Sequence, residues 1–584
     1  MKPRLTLASD GRMLPSLKGE MFRRFLCSML GLALVQGVAG QDVPPVTPRY
    51  GVAELTLTCP DVFDNPFRQA VCEAEFVSPS GHKTRVEGFY DGGNRWRVRF
   101  VPREHGDWTW RGRITGGATP VDASGSFTCE GTQGHGFLRI SRRNPFRYEY
   151  EDGTPFYPIG IQTCNFLQPD FDGPQSGTDG YRWVSNTEWM QAFTGAVNLV
   201  RTQFGQGTAA GCALPLIAAR PKTLPGRETV TNFAYQADRY DLALAARIDA
   251  VYREQREAGI SQILIFLQDM SAWKDSGMGM NTAFGAIRDL AGYKNAKAPS
   301  LPLQEQYIRY VIARYGAFVD IWEIFNEDSS APADYLAHLA GVIRKADPYG
   351  RLLTSNFSRP GETWSDITTW HEYMGMPANA VDAYVVSQIA LHKSYGRLVQ
   401  NTEFGNQGSL SNVDPVKWRI AVWAAHMHES SLVFWSMSQS RIPAGHVKTG
   451  NANAYIGPDS RQHFRVFHAL TRDLPVDLKP VTIGFTEQTD IRAYALGNGK
   501  QGLIYIHHFA DHNKAFAPKD KLMVQVGSGT WCLRWYHPED GRELLTEELT
   551  TPQQFLFFTM PEATVDLVAR LERVGEPEGV SPAR

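Results

Sequence analysis

The sequence predicts a parallel (β/α)8 TIM barrel, an α/β fold, flanked by an N-terminal and a C-terminal β-sandwich domain. Three observations carry this. Short runs of alternating polar and apolar residues fill 51–131; from Phe156 apolar strands alternate with helical periodicity eight times; and from about 475 to 572 the period-two pattern returns. At 584 residues, 42% of them hydrophobic, the chain has apolar content for more than one core.

Residues 1–40 read as a leader. From Met21 a basic start at Arg23 and Arg24 precedes an apolar run from Phe25 to Val35 and the small residues Val38, Ala39 and Gly40. This predicts cleavage near Gly40, a natural start at Met21 and a secreted or periplasmic product; the run is too short for a membrane span. Residues 45–131 follow as an Ig-like β-sandwich, with turns at Asn65-Pro66, Ser80-Gly81 and Gly92-Gly93. Alternation places Trp108 and Trp110 on one face, predicted to be core and domain contact in preference to an exposed platform. After a linker at 131–136, a hairpin or two with a turn at Asp152-Gly153 leads into the barrel, 137–473.

The barrel strands are read as FYPIGI, AVNLVRTQF, SQILIFLQ, VDIWEIFN, RLLTSN, DITTWH, RLVQNTEF and SLVFWS. Helices are predicted over 186–195, 238–258, 302–316, 332–346, 379–395, 415–429 and 459–473, with none between strands five and six. Long connections at about 204–237, 269–300 and 437–458 should wall a cleft, the last carrying Arg441, His446 and Lys448. A second β-sandwich occupies 475–572.

With 59 Lys+Arg against 61 Asp+Glu, no basic field is available to hold nucleic acid. Seven cysteines, six beyond the leader, are too few for a disulfide scaffold; Cys164 and Cys212 are either a pair or isolated thiols. No zinc-type Cys/His spacing, GxSxG elbow, HExxH helix, P-loop or EF-hand loop occurs, so no metal and no cofactor is expected.

Reactive groups of a barrel collect at the C-terminal ends of its strands. Strand four ends in Asn326-Glu327 and strand seven in Glu403. Two glutamates facing one cavity suit glycoside hydrolysis, with Glu327 as acid/base and Glu403 as nucleophile. Glu327 then needs a pocket that raises its pKa, by burial or by the charge of Glu403. Arg201 and the Tyr373 hydroxyl are placed to donate to Glu403, Asn326 to donate to a sugar hydroxyl, and Trp435 to offer an apolar face. Glu323, an even step before Glu327, is expected to form an ion pair inside the barrel, and Glu372 to face away from the site. Asp269 is a further carboxylate within reach, while Asp366 and Asp382 read as a strand start and a helix residue.

These residues resemble the clan A glycoside hydrolases, retaining (β/α)8 enzymes with an Asn-Glu pair ending strand four and a Glu ending strand seven. The resemblance rests on Asn326, Glu327 and Glu403, supported by Arg201, His371, Tyr373 and Trp435. The front of the chain is similar to uncharacterised bacterial proteins of DUF5060 and DUF4038 type that join a β-sandwich to such a barrel. The matching residues are Asn65-Pro66-Phe67, Gly88-Phe89-Tyr90-Asp91-Gly92, Trp96, Pro102, Gly106 and Trp108. The resemblance spans roughly 51–473 and implies a secreted retaining glycosidase acting on a poly- or oligosaccharide, with a transglycosylase on the same site or a non-catalytic carbohydrate-binding protein as the alternatives.

Overall fold

The computed structural model describes residues 44–162, 186–203, 217–222, 232–268, 294–327, 331–373, 375–405, 414–435, 456–485, 490–516 and 521–575. The leader, Cys164, Cys212, Asp269, Arg441, His446 and Lys448 lie outside them. Eight parallel strands form the central sheet: Ile159–Gln162, Leu199–Gln203, Ser261–Gln268, Ile321–Asn326, Leu352–Thr354, Ile367–Tyr373, Leu398–Gly405 and Ser430–Phe434. Their spatial order is 5-4-3-2-1-8-7-6, so the ring is nearly closed. Strands five and six meet through Asp366, whose amide donates to the Leu353 carbonyl and whose carboxylate accepts from the Leu353 amide, both at 2.8 Å. Most strand residues are buried because helices cover one side and the barrel interior the other. Strand one passes so close to strand eight that a Cβ on Gly160 would stand 2.7 Å from Val433 Cγ2.

Helices Leu242–Glu257, Leu301–Tyr315, Ala333–Ala346, Ala378–Lys393, Pro415–Met427 and Pro458–Thr471 follow strands two, three, four, six, seven and eight. Strand one is followed by Asn186–Phe193. The second of these seven helices starts four residues later than its predicted start at 238. Asp241 caps it by accepting from the Leu244 amide, and the preceding Asn232–Tyr240 is a strand paired with Ile217–Lys222. That hairpin, inside the long connection after strand two, was not foreseen.

Three short antiparallel strands, Leu138–Ile140, Tyr148–Tyr150 and Pro155–Phe156, close the barrel floor. Leu138, Tyr148 and Phe156 share an apolar cluster with Leu199, Ile263, Ile321, Ile367, Leu398 and Val433 of the strands. Among the described residues, these strands close the N-terminal end of the interior.

Before this floor, a five-stranded and a three-stranded sheet enclose Phe76, Trp96, Phe100, Trp108 and Trp110. Trp108 and Trp110 are 3% and 4% exposed, so their shared face is core. After the barrel, a six-stranded and a three-stranded sheet surround Ile504, Trp531, Leu533, Trp535 and Leu567. Cys59, Cys72, Cys129 and Cys532 are buried free thiols. No described helix is long and apolar enough to cross a membrane.

Candidate active site

Arg201 rises from strand two into the barrel and is fully buried. Nε donates to Glu323 Oε2 at 2.8 Å and Nη2 to the other Glu323 oxygen. Nη2 also reaches Asn326 Oδ1 at 2.7 Å, and Nη1 reaches Glu403 Oε1 at 2.8 Å and the Gln162 side-chain oxygen. Burial alone would weaken the guanidinium charge; Glu323 and then Glu403 outweigh it and hold the arginine protonated above its ordinary range. Glu323 is thus the interior ion-pair partner expected of it, and its fork with Arg201 sets the angle at which Arg201 presents its remaining donors to Asn326 and Glu403.

Strand six supplies the opposite wall by simple alternation. His371 and Tyr373 face the cavity, whereas Trp370 stacks on His392 and Glu372 accepts from Tyr384, both on the helix outside. Tyr373 donates its hydroxyl to Glu403 Oε2. Burial and the Glu403 charge push that hydroxyl well above its ordinary pKa, so it remains a donor. His371 Nδ1 lies 2.9 Å from Glu327 Oε1 and 3.4 Å from Glu403 Oε2. Burial drives its pKa down to about 3, so the ring is neutral: the Glu327 contact is a hydrogen bond and the Glu403 contact a close approach, and neither is an ion pair.

The two glutamates occupy different surroundings. Glu403 is almost wholly enclosed, with Arg201 on one oxygen and Tyr373 on the other. Glu327 keeps 27% of its side chain exposed, and burial, partly offset by Arg201, raises its pKa. Its backbone is left-handed, φ +47°, an uncommon conformation for a residue with a side chain and a local strain at the strand end. An oxygen of each carboxylate and a nitrogen of His371 all lie within 4.8 Å of one another. Among the described residues this triangle alone has the spacing of a metal-ligand set. Arg201 beside it already supplies the positive charge that a cation would bring.

Six of the seven residues singled out in the sequence therefore meet in one cluster: Arg201, Asn326, Tyr373 and Glu403 are joined by hydrogen bonds, and the hydrogen-bonded pair His371 and Glu327 lies beside them, 3.4 Å from Glu403. Trp435 does not join it through any described contact. Its amide bonds to the Phe404 carbonyl and its side chain packs into the main apolar cluster, 7% exposed, because its strand ends beside strand seven. Sequence reasoning missed Gln162, a polar residue ending the apolar strand one, which is itself the available signal. Asp366 stands at the start of strand six and Asp382 on the helix after it, as expected, and both also make contacts between elements. Asp366 ties Arg344 to strand five, and Asp382 holds Arg492, Tyr494 and His507 of the C-terminal sheet.

Residues 46–115 match a family described as a domain of unknown function, DUF5060. A solved putative glycoside hydrolase from Bacteroides vulgatus superposes with a TM-score of 0.65 at 18% identity, covering 91% of this chain and 100% of its own. A family 5 glycoside hydrolase from Bacteroides vulgatus gives 0.49 at 13% identity, covering 75% and 93%. An endoxylanase of family 30 from Clostridium papyrosolvens gives 0.39 at 11%, covering 72% and 96%. Among curated proteins none matches. The first likeness extends over the whole architecture and shows its fold, a barrel with β-sheet regions before and after.

Proposed function

We propose that this chain is an exported glycoside hydrolase that cleaves O-glycosidic bonds of a poly- or oligosaccharide with retention of anomeric configuration. The observation that carries this reading is that an oxygen of Glu327 lies within 4.8 Å of an oxygen of Glu403, close to the spacing of about 5–5.5 Å that retaining enzymes use and short of the roughly 6.5–9.5 Å that leaves room for a water. Glu403, oriented by Arg201 and Tyr373, attacks the anomeric carbon while Glu327 protonates the glycosidic oxygen, and the leaving sugar departs as an alcohol. Water then adds to the same carbon, giving its proton to Glu327 and releasing Glu403. The Asn326 amide, its oxygen held by Arg201, donates to a substrate hydroxyl. Export rests on the leader pattern ending near Gly40.

The test is a screen of polysaccharides and aryl glycosides with the purified protein, followed by an NMR time course on any substrate cleaved. The first-formed anomer should keep the substrate's configuration; an inverted product removes the assigned pair.

Glu327→Ala supplies a separate check. Loss of the acid should reduce turnover of poor leaving groups by about 10²–10⁴-fold and spare activated aryl glycosides far more. Azide should partly rescue the activated substrate by displacing Glu403 from the intermediate. Because burial raises the Glu327 pKa, its acid form persists to higher pH than an ordinary glutamate's, and activity is lost as pH rises through that raised value. The variant should therefore lose the alkaline limb of the kcat/KM profile. Equal losses on both substrate types, or an unchanged alkaline limb, make Glu327 structural.

A further inference from the structure

Two phenylalanine side chains stand exposed among the described residues, Phe357 at 37% and Phe557 at 54%. Phe557 lies on a strand of the C-terminal sandwich; Phe357 lies three residues past strand five, at the barrel's open end. Its ring meets His371 edge-on, centroids 5.5 Å apart and planes at 63°, and His371 in turn touches Glu327. The ring is more than a third exposed beside this polar cluster and belongs to none of the buried apolar clusters of the described residues.

Strand order gives the ring its side of the cleft. Arg201 and Gln162 approach Glu403 from strands two and one. Phe357 follows strand five, between Glu327 at the end of strand four and His371 on strand six, which is the acid's side of the pair. The acid protonates the glycosidic oxygen, so the sugar beyond that oxygen lies on the same side. Its C–H face is apolar and flat enough to stack on a phenyl ring.

We propose that Phe357 is the platform for the first sugar on the leaving-group side, a specificity-determining residue that selects a pyranose with an uninterrupted C–H face. The proposal rests on the glycosidase reading above and adds the substrate's second half to it.

The experiment compares the full-length protein with Phe357→Ala and Phe357→Trp on two probe sets. One set is mono- and disaccharide fluorides of the gluco, manno, galacto and xylo series in both anomers, whose leaving group has no ring. The other is the corresponding tetrasaccharides. For the series the parent cleaves, Phe357→Ala should lower kcat/KM on the tetrasaccharide about tenfold more than on the fluoride, and Phe357→Trp should restore the ratio. An unchanged ratio, or a tryptophan variant as impaired as the alanine one, overturns the platform while leaving the glycosidase reading intact. A parent that cleaves no fluoride and no tetrasaccharide overturns the glycosidase reading, and the platform falls with it.

Discussion

Glu403→Gln should abolish turnover, by about 10⁴-fold or more, and leave the fold almost untouched. The amide keeps the shape of the carboxylate and loses the charge that attacks the anomeric carbon. Its oxygen still accepts from Arg201 Nη1, and the Tyr373 hydroxyl, which now donates to the carboxylate, turns to accept from the new amide. Arg201 does not become an unpaired buried cation, since Glu323 holds it with two hydrogen bonds. Thermal unfolding of parent and variant should therefore agree closely while rates differ by orders of magnitude. A variant that keeps the parent's rate on any substrate the parent cleaves shows that Glu403 is not the nucleophile.

The same pair of glutamates shows what a sequence reveals and where it stops. All eight barrel strands were legible because strands buried on both faces are rich in apolar residues, even where strands six and seven also carry the polar residues of the site, and each run here is bounded by a helix or a turn. Alternation then settled side: His371 and Tyr373 inward, Glu372 outward, Glu323 in the same interior as Glu327. What could not be read is which further neighbours strand pairing adds and what the backbone does locally. Gln162 and Arg201 are neighbours only because strands one and two are paired, and the left-handed backbone of Glu327 leaves no mark in the residue type. Trp435 was chosen for its position after strand eight, yet burial depends on how that strand ends against strand seven. The floor of the barrel, foreseen as a lead-in hairpin, owes its place to complementarity between Tyr148 and Phe156 and seven different strands.

Removing the N-terminal sandwich, residues 44–131, should yield an insoluble or unstable barrel, because its junction with the barrel is built of charges that neither side can leave unpaired. Arg99 of strand Arg95–Phe100, 1% exposed, donates to both oxygens of Asp249 on helix Leu242–Glu257, at 2.7 and 2.9 Å. Arg314, fully buried on helix Leu301–Tyr315, pairs with the same aspartate and with Asp91 of the sandwich at 2.9 Å. Phe89 belongs to the barrel's own apolar cluster, and Phe67 packs edge-on against Tyr240 and Tyr310 at 4.9 and 5.6 Å. A cavity of about 280 Å³ lies here, among Phe67, Tyr90, Arg309 and Tyr310. The bidentate Arg309–Glu87 contact at its edge is half-exposed. A single substitution grades the effect. Arg99→Met takes one of two arginines from Asp249, which keeps Arg314, and one from Glu54, which keeps Arg97, and should cost about 2–3 kcal/mol, whereas Arg309→Ala, which breaks only the exposed pair, should cost no more than about 1 kcal/mol. Denaturant unfolding of the two variants reads the difference. A truncated barrel that stays soluble, melts like the parent and loses only its retention on polysaccharide would instead make the sandwich a binding module, and equal stabilities for Arg99→Met and the parent would show that the buried charges do not hold the two together.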